Sequence, residues 1–479
     1  MGTRREFIRG CCAAASMGVF AGFGRFGLLN ALAAAPPDYK ALVCIFLFGG
    51  NDGNNLIVPM SDSPSVGQGF RYSDYFSIRA AQSSGGLGLT QAELTNTQVQ
   101  SLTAQPAPSN QNVFAFHPAL VNVRGLFETN KKVAVVANMG VLKEPITRAQ
   151  YLSQASLRPA NLFSHSDQQQ QWQTSDPTGF GTTGWAGRTA DKARTIFDVG
   201  QIYPPITTVA GTAIFCTGSV QQPFALAPTN DPNTIGLAGY TPATTQNSAR
   251  LASLQQMLTF DTGVQLIQAA SSITDRALDQ SEILASALRG ITPLSTAFPA
   301  SSIGNQLAQV ARILKANATL GLQRQIFFCS MGGYDTHTGQ VPDQNNLFSQ
   351  LDPAMKAFYD ATLELTLQDK VTTFTLSEFG RTLKPAAGAG SDHGWGGHQM
   401  VMGGAVLGGN LYGRMPKFVL SGTDPLSEDS SSLGRWIPST SVDQFGATLA
   451  RWFGVPPADL NAIFPNLPKF PTANLGFLP

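Results

Sequence analysis

The chain has 479 residues, 43% of them hydrophobic and only 13% charged, with a net charge of +1. That length accommodates one large domain or two ordinary ones around a substantial core. The near-neutral balance, with no Lys/Arg tract interleaved with aromatics, argues against a nucleic-acid partner.

The first segment reads as a targeting signal. Thr3-Arg4-Arg5-Glu6-Phe7-Ile8-Arg9 fits the twin-arginine export pattern at every defined position. An Ala/Gly-rich, weakly apolar run follows to Ala35, broken by Arg25, and Ala31-Leu32-Ala33 fits a small-x-small cleavage site. The expectation is a removed signal over 1–35 and a single domain over 36–479, with the twin-arginine translocase as a transient partner. The run is too short and too interrupted for a stable membrane span, so the expected destination is periplasmic or secreted. Gly22-Phe23-Gly24-Arg25-Phe26-Gly27 spells a dinucleotide-loop pattern, but it lies within the signal and follows no strand. Cys44, Cys216 and Cys329 fall beyond the signal without C-x-x-C spacing, and Cys44 and Cys329 read as buried small hydrophobes.

Four apolar runs predict buried strands: Ala41–Phe48, Lys132–Ala137, Gln325–Cys329 and Val371–Leu376. Amphipathic patterns predict helices over Pro118–Glu128, Val264–Leu288, Ile303–Leu320, Leu347–Leu367 and Val442–Trp452. Alternating strands and helices imply an α/β fold with a mostly parallel central sheet flanked by helices. Polar stretches at 61–112, 211–247 and 421–441 read as long insertions or loops. Ligands of such sheets bind beyond the carboxyl ends of the strands. Three of the runs end in a Gly-bearing loop with a carboxylate: Asp52, Asp335 and Glu378.

The chain has five histidines, and two lie in Ser391-Asp392-His393-Gly394-Trp395-Gly396-Gly397-His398. Asp and neutral His are ligands for zinc, manganese and iron. With Asp335-Thr336-His337, the segment supplies Asp392, His393 and His398 as candidate ligands, alongside Asp52 and Glu378. Glu378 reads equally as an ion-pair partner of Arg381. Ser164 and Ser166, in Ser164-His165-Ser166-Asp167-Gln168, are candidate nucleophiles or helix caps. His117, before Pro118, reads as ordering a helix entry. No P-loop, H-E-x-x-H or G-x-S-x-G is present.

Several motifs in chain order resemble a known family. They are Phe48-Gly49-Gly50-Asn51-Asp52-Gly53-Asn54-Asn55, Phe163-Ser164-His165-Ser166-Asp167-Gln168-Gln169, Gly184-Trp185-Ala186-Gly187-Arg188, Gly332-Gly333-Tyr334-Asp335-Thr336-His337, Ser377-Glu378-Phe379-Gly380-Arg381 and Ser391-Asp392-His393-Gly394, followed by Gly403-Gly404-Ala405-Val406-Leu407-Gly408-Gly409. The chain resembles the bacterial exported domain-of-unknown-function 1501 family, itself similar to the alkaline phosphatase and sulfatase superfamily. That resemblance implies an alkaline-phosphatase-like fold and one or two divalent cations, zinc or manganese first, calcium or iron next. It implies metal-dependent hydrolysis of a phosphate or sulfate ester, on a small molecule or a glycan. In that frame Asp52 resembles the first-strand ligand, Asp335 and His337 a later Asp/His pair, Asp392 and His393 an Asp-His-Gly motif, and His398 the last His. Glu378 competes with Asp392/His393 for the main ligand slot, and Ser164, Ser166 and Asn55 compete as nucleophile. The formylglycine signature [C/S]-x-P-x-R is absent around Cys44, Cys216 and Cys329, which argues against that sulfatase mechanism. The rival expectation is a non-catalytic binding or scaffold protein keeping the fold and a structural metal.

Overall fold

The computed structural model describes residues 38–80, 86–242, 244–260, 263–420 and 427–479. The expected export signal and its cleavage site lie outside these residues. The first strand, β1 (Lys40–Leu47), is buried from Ala41 onward. A continuous apolar run of this kind belongs to a strand covered on both faces.

The other strands are β2 (Ile57–Pro59), β3 (Gln98–Gln100), β4 (Val113–Phe116), β5 (Val133–Gly140), β6 (Ile206–Thr208), β7 (Phe224–Ala225), β8 (Arg324–Met331), β9 (Val371–Leu376), β10 (Gly397–Met402), β11 (Leu411–Gly413) and β12 (Thr440–Ser441). The main sheet runs β11-β5-β10-β9-β1-β8-β6-β7, with β12 on β5; β2, β4 and β3 make a small second sheet. β1 pairs in parallel with β8, Lys40 opposite Arg324, and with β9, Ala41 opposite Val371. β10 alone runs against its neighbours β9 and β5. Its first residue therefore lies at the edge where β1, β5, β8 and β9 end. The sheet is thus mostly parallel, as expected.

Alternation along β1 divides the core. Val43, Ile45 and Leu47 face one side with Leu307, Phe348 and Met355 from the helices Ser302–Lys315 and Gln340–Glu364. Leu42, Cys44 and Phe46 face the other, with Trp185, Phe445 and Phe453 from the helices Trp185–Arg194 and Val442–Phe453. Each fully buried Leu, Ile or Phe there contributes about 1.5–3 kcal/mol. Cys44, Cys216 and Cys329 are buried free thiols. No helix among the described residues is long and apolar enough to cross a membrane.

All four predicted strands form, and the boundaries of several helices differ. The pattern over Ile303–Leu320 is two helices, Ser302–Lys315 and Asn317–Leu320, separated at Ala316. The helix expected from Leu347 begins at Gln340, because its first two turns are polar and buried through Gln340 and Gln344. The stretch 61–112 is not loop throughout: it holds the helix Tyr72–Arg79 and β3. That helix buries Tyr72, Tyr75 and Arg79 and lacks the aliphatic periodicity that marks a helix in sequence.

Candidate metal centre

Four loops at the carboxyl edge of the sheet build one cluster. β8 runs through Gly332-Gly333 into Asp335 and His337, and β9 runs directly into Ser377-Glu378. The segment before β10 supplies Asp392 and His393, and backbone pairing of Arg381 with His393 ties it to the loop after β9. The fourth piece is the start of the helix His165–Thr174, capped by Ser164. Close approach demands glycine at Gly49: φ is +120°, and a Cβ there would sit 2.3 Å from the Asp335 nitrogen.

Three of the five histidines converge on Asp335. His165 Nε2 lies 3.2 Å from Asp335 Oδ2. His337 Nε2 and His393 Nε2 lie 3.1 and 3.3 Å from Oδ1. The two latter nitrogens are 2.9 Å apart. Ligand atoms of His165, Asp335 and His393 all fall within 4.8 Å of one another. Phe379 stacks on His393 at 4.7 Å between ring centres, walling one side.

The hydrogen bonds behind the rings fix which nitrogen faces inward. His393 Nδ1 lies 2.7 Å from the carbonyl oxygen of Phe163. A carbonyl only accepts, so Nδ1 carries the proton and, in the neutral ring, Nε2 presents a bare lone pair. Burial lowers the His393 pKa and favours that neutral form. Phe163 reaches this position at φ 73°, a left-handed conformation that bulky residues seldom take. Arg435 packs over its ring at 4.4 Å and donates to the His393 carbonyl at 2.8 Å.

His165 Nδ1 is 2.9 Å from Glu378 Oε1, and this bond raises the His165 pKa against the opposing effect of burial. The same oxygen accepts from Gly49 N at 2.8 Å and Gln169 Nε2 at 2.9 Å. His165 and Gln169 are four apart on one helix, hence on one face. His337 Nδ1 is 3.4 Å from Asp392 Oδ1. Burial raises the Asp335 pKa, but Arg381, donating at 2.9 Å, and the histidines outweigh it and hold the carboxyl below its usual value.

This donor set fits a divalent cation. The lone pair on His393 Nε2 faces Asp335 Oδ1 at 3.3 Å and His337 Nε2 at 2.9 Å, where either a cation or an N–H of His337 satisfies it. His165 Nε2 is buried, and the group it faces is Asp335 Oδ2 at 3.2 Å. Ligands about 2.0–2.1 Å from a tetrahedral zinc are about 3.3 Å apart, and the three histidines stand 3.2, 3.1 and 3.3 Å from Asp335. Glu378, the Phe163 carbonyl and Asp392 sit behind the three rings, where outer partners orient ligating imidazoles.

The cluster thus gathers Asp335, His337 and His393 from the sequence-derived set, with Glu378 and Asp392 reaching it through His165 and His337. Two candidates lie outside this cluster and are engaged elsewhere. The Asp52 carboxylate is taken by Arg79, by Gln340 Nε2 at 2.5 Å, and by Asn54 N and Nδ2 at 3.0 and 2.9 Å, leaving no open face for a cation. His398 Nδ1 accepts the Asn138 N–H at 2.9 Å, so the neutral ring holds its proton on Nε2 and has no lone pair free. Its burial pushes the pKa down to about 4. Arg381 pairs with Asp335 rather than with Glu378. Ser164 Oγ donates to Asp167 Oδ2 at 2.5 Å and lies 3.3 Å from the exposed Ser166 Oγ. His117 Nδ1 accepts from Ala119 N at 3.2 Å, ordering the chain before the next helix as expected. The sequence reading missed His165 and Gln169; the signal available was a scarce histidine between the two candidate serines.

Residues 39–428 match the family described as "Protein of unknown function (DUF1501)". The chain belongs to the DUF1501 family. No curated protein matches this DUF1501 chain. Among solved structures, it is similar to Ps i-CgsB in complex with k-i-k-neocarrahexaose, at 9% identity and TM-score 0.30 over 88% of this chain and 72% of the other. It is similar to the PsFucS1 sulfatase from Pseudoalteromonas sp., at 10% identity and TM-score 0.29 over 85% and 71%. A mutant of the alkaline phosphatase PafA overlaps at 12% identity and TM-score 0.23 over 73% and 64%. At these TM-scores the overlaps assign no activity to the DUF1501 chain, and its site is read from its own residues.

Proposed function

We propose that this protein is an exported, metal-dependent hydrolase of phosphate or sulfate esters. His165, Asp335, His337 and His393 would hold one or two divalent cations, zinc or manganese. The observation that carries the reading is the convergence of His165, His337 and His393 on the Asp335 carboxylate, with His393 Nδ1 committed to the Phe163 carbonyl. A bound cation would supply Lewis-acid charge to the ester oxygens and favour ionisation of a nearby hydroxyl.

The chain's own groups complete the proposal. Ser164 precedes His165, and its hydroxyl already donates to Asp167. The Asp167 pKa is lowered by its bonds from Asn161 and Ser164, so it is an ionised acceptor for that proton. In attack, Ser164 Oγ would form the new bond to phosphorus or sulfur as its proton passes to Asp167. The bond to the ester's leaving oxygen breaks and that oxygen takes up a proton as the alcohol departs, and water then cleaves the seryl ester to restore Ser164. Glu378 and Phe163 keep the imidazoles aimed throughout.

The test is a screen of phosphate monoesters, phosphate diesters and sulfate esters with zinc- or manganese-loaded protein, beside His393→Ala and Ser164→Ala. Hydrolysis of one class, lost by about 100-fold or more in His393→Ala, supports the reading. A metal-loaded wild type inert toward all three classes overturns it. A non-catalytic reading is favoured by one feature: the cluster joins segments around 165, 335 and 393, as a structural cation would. Metal-dependent stability without turnover would select it. Export is tested by fractionating cells that express the Arg4→Lys/Arg5→Lys variant; export equal to that of the wild type rejects the twin-arginine route.

A further inference from the structure

We propose that Gln340 and Ser391 are positioning residues that set the Asp335 carboxylate in the centre by way of Arg381. The inference rests on the metal-centre reading above. Asp335 has a side chain 44% exposed, free to turn unless something holds it. What holds it from within is Arg381 Nη1, at 2.9 Å from Oδ1, on a side chain with no exposure. The Arg381 guanidinium is itself gripped at Nε by Ser391 Oγ at 3.3 Å, and its buried Nη2 has no partner. Its placement therefore depends on Ser391.

The direction of every bond in this chain is forced from the far end. Asp52 is already paired with Arg79, and its carboxylate accepts. The Gln340 amide must turn its NH2 to Asp52, at 2.5 Å, and its carbonyl to Ser391. A carbonyl accepts, so the Ser391 hydroxyl donates to Gln340 and keeps a lone pair for the Arg381 Nε–H. Gln340, Ser391 and Arg381 are all buried, so no solvent competes for these bonds. Asp52 also acts on the same segment through the backbone. Its partner Arg79 donates to the carbonyls of Thr382 and Leu383 at 3.0 and 3.1 Å, and its partner Asn54 donates to that of Arg381 at 3.0 Å. The acid in the loop after β1 thus acts on the centre at a distance, by orienting Arg381.

The experiment is zinc affinity of the full chain by competition with a chelating dye, with the ligand-field spectrum of the cobalt-loaded protein and the thermal midpoint of the metal-free protein. Ser391→Ala and Gln340→Met are expected to weaken zinc binding about 10- to 100-fold and to alter the cobalt spectrum, as loss of an outer partner does. Ser391→Thr, which keeps the hydroxyl, is expected to restore both. Folded Ser391→Ala or Gln340→Met with wild-type zinc affinity and cobalt spectrum overturns the positioning role and leaves the metal centre standing. A wild type that binds no zinc overturns the metal centre, and this inference with it. Should one variant fail to fold, the other decides.

Discussion

Phe163 and His393 meet through a single bond, carbonyl oxygen to Nδ1 at 2.7 Å, and that bond decides which nitrogen of His393 faces Asp335. Glu378 performs the same office for His165. Two rings are thus aimed by groups that stand outside the cluster, so the centre depends on residues that would never touch a substrate.

Glu378→Gln tests that dependence. The amide oxygen can still accept from His165, Gly49 and Gln169, but the negative charge behind the imidazole is gone. Zinc affinity is expected to fall about 10-fold with the fold retained. Titration of variant and wild type, with circular dichroism as the control for folding, reads the effect.

Gly49→Ala should damage both fold and site. The added Cβ would lie 2.3 Å from the Asp335 nitrogen, at a φ of +120° that other residues rarely adopt. Destabilisation beyond about 2 kcal/mol is expected from the strain and displaced backbone together. Urea unfolding in the presence of a chelator measures it without any contribution from bound metal.

Arg79→Ala should leave the Asp52 charge buried without its ionic partner, at a cost of about 3–5 kcal/mol. The loss is expected already in the metal-free protein, where a ligand substitution such as His393→Ala has little effect. Thermal unfolding with and without chelator separates the two kinds of residue.

Much of the fold and part of the site were legible in sequence, for physical reasons. β1, β8 and β9 are buried on both faces, so each is an unbroken apolar run that stops at a polar loop, and Asp335 and Glu378 follow directly. His337 and His393 stood out by scarcity. His165 did not, because the helix HSDQQQQWQT carries no aliphatic stripe and its meaning comes from a contact 213 residues away, with Glu378. Asp52, a candidate ligand in sequence, sits outside the cluster for the converse reason. A strand-end position predicts where an acid lies, but not that a buried arginine 27 residues on will occupy it.

A pH effect is expected at Asp443, which is not one of the cluster's residues. Burial pushes its pKa up to about 7, against the pull of Ser175 and Arg188. The folded protein therefore holds a proton that the unfolded chain releases near pH 4. This contribution to stability is full below about pH 4, declines as pH rises toward 7, and is level above it; the span is about 4 kcal/mol at most. Asp443→Asn should remove that slope and gain most at pH 8, as urea midpoints at pH 5 and pH 8 would show.

Metal titration of the purified, folded chain reads directly whether His165, His337, His393 and Asp335 hold a cation. The wild type is expected to bind one or two equivalents of zinc or manganese, and His393→Ala, equally folded, to lose at least one of them. A folded wild type that takes up neither metal, or a His393→Ala variant that binds as the wild type does, would contradict it.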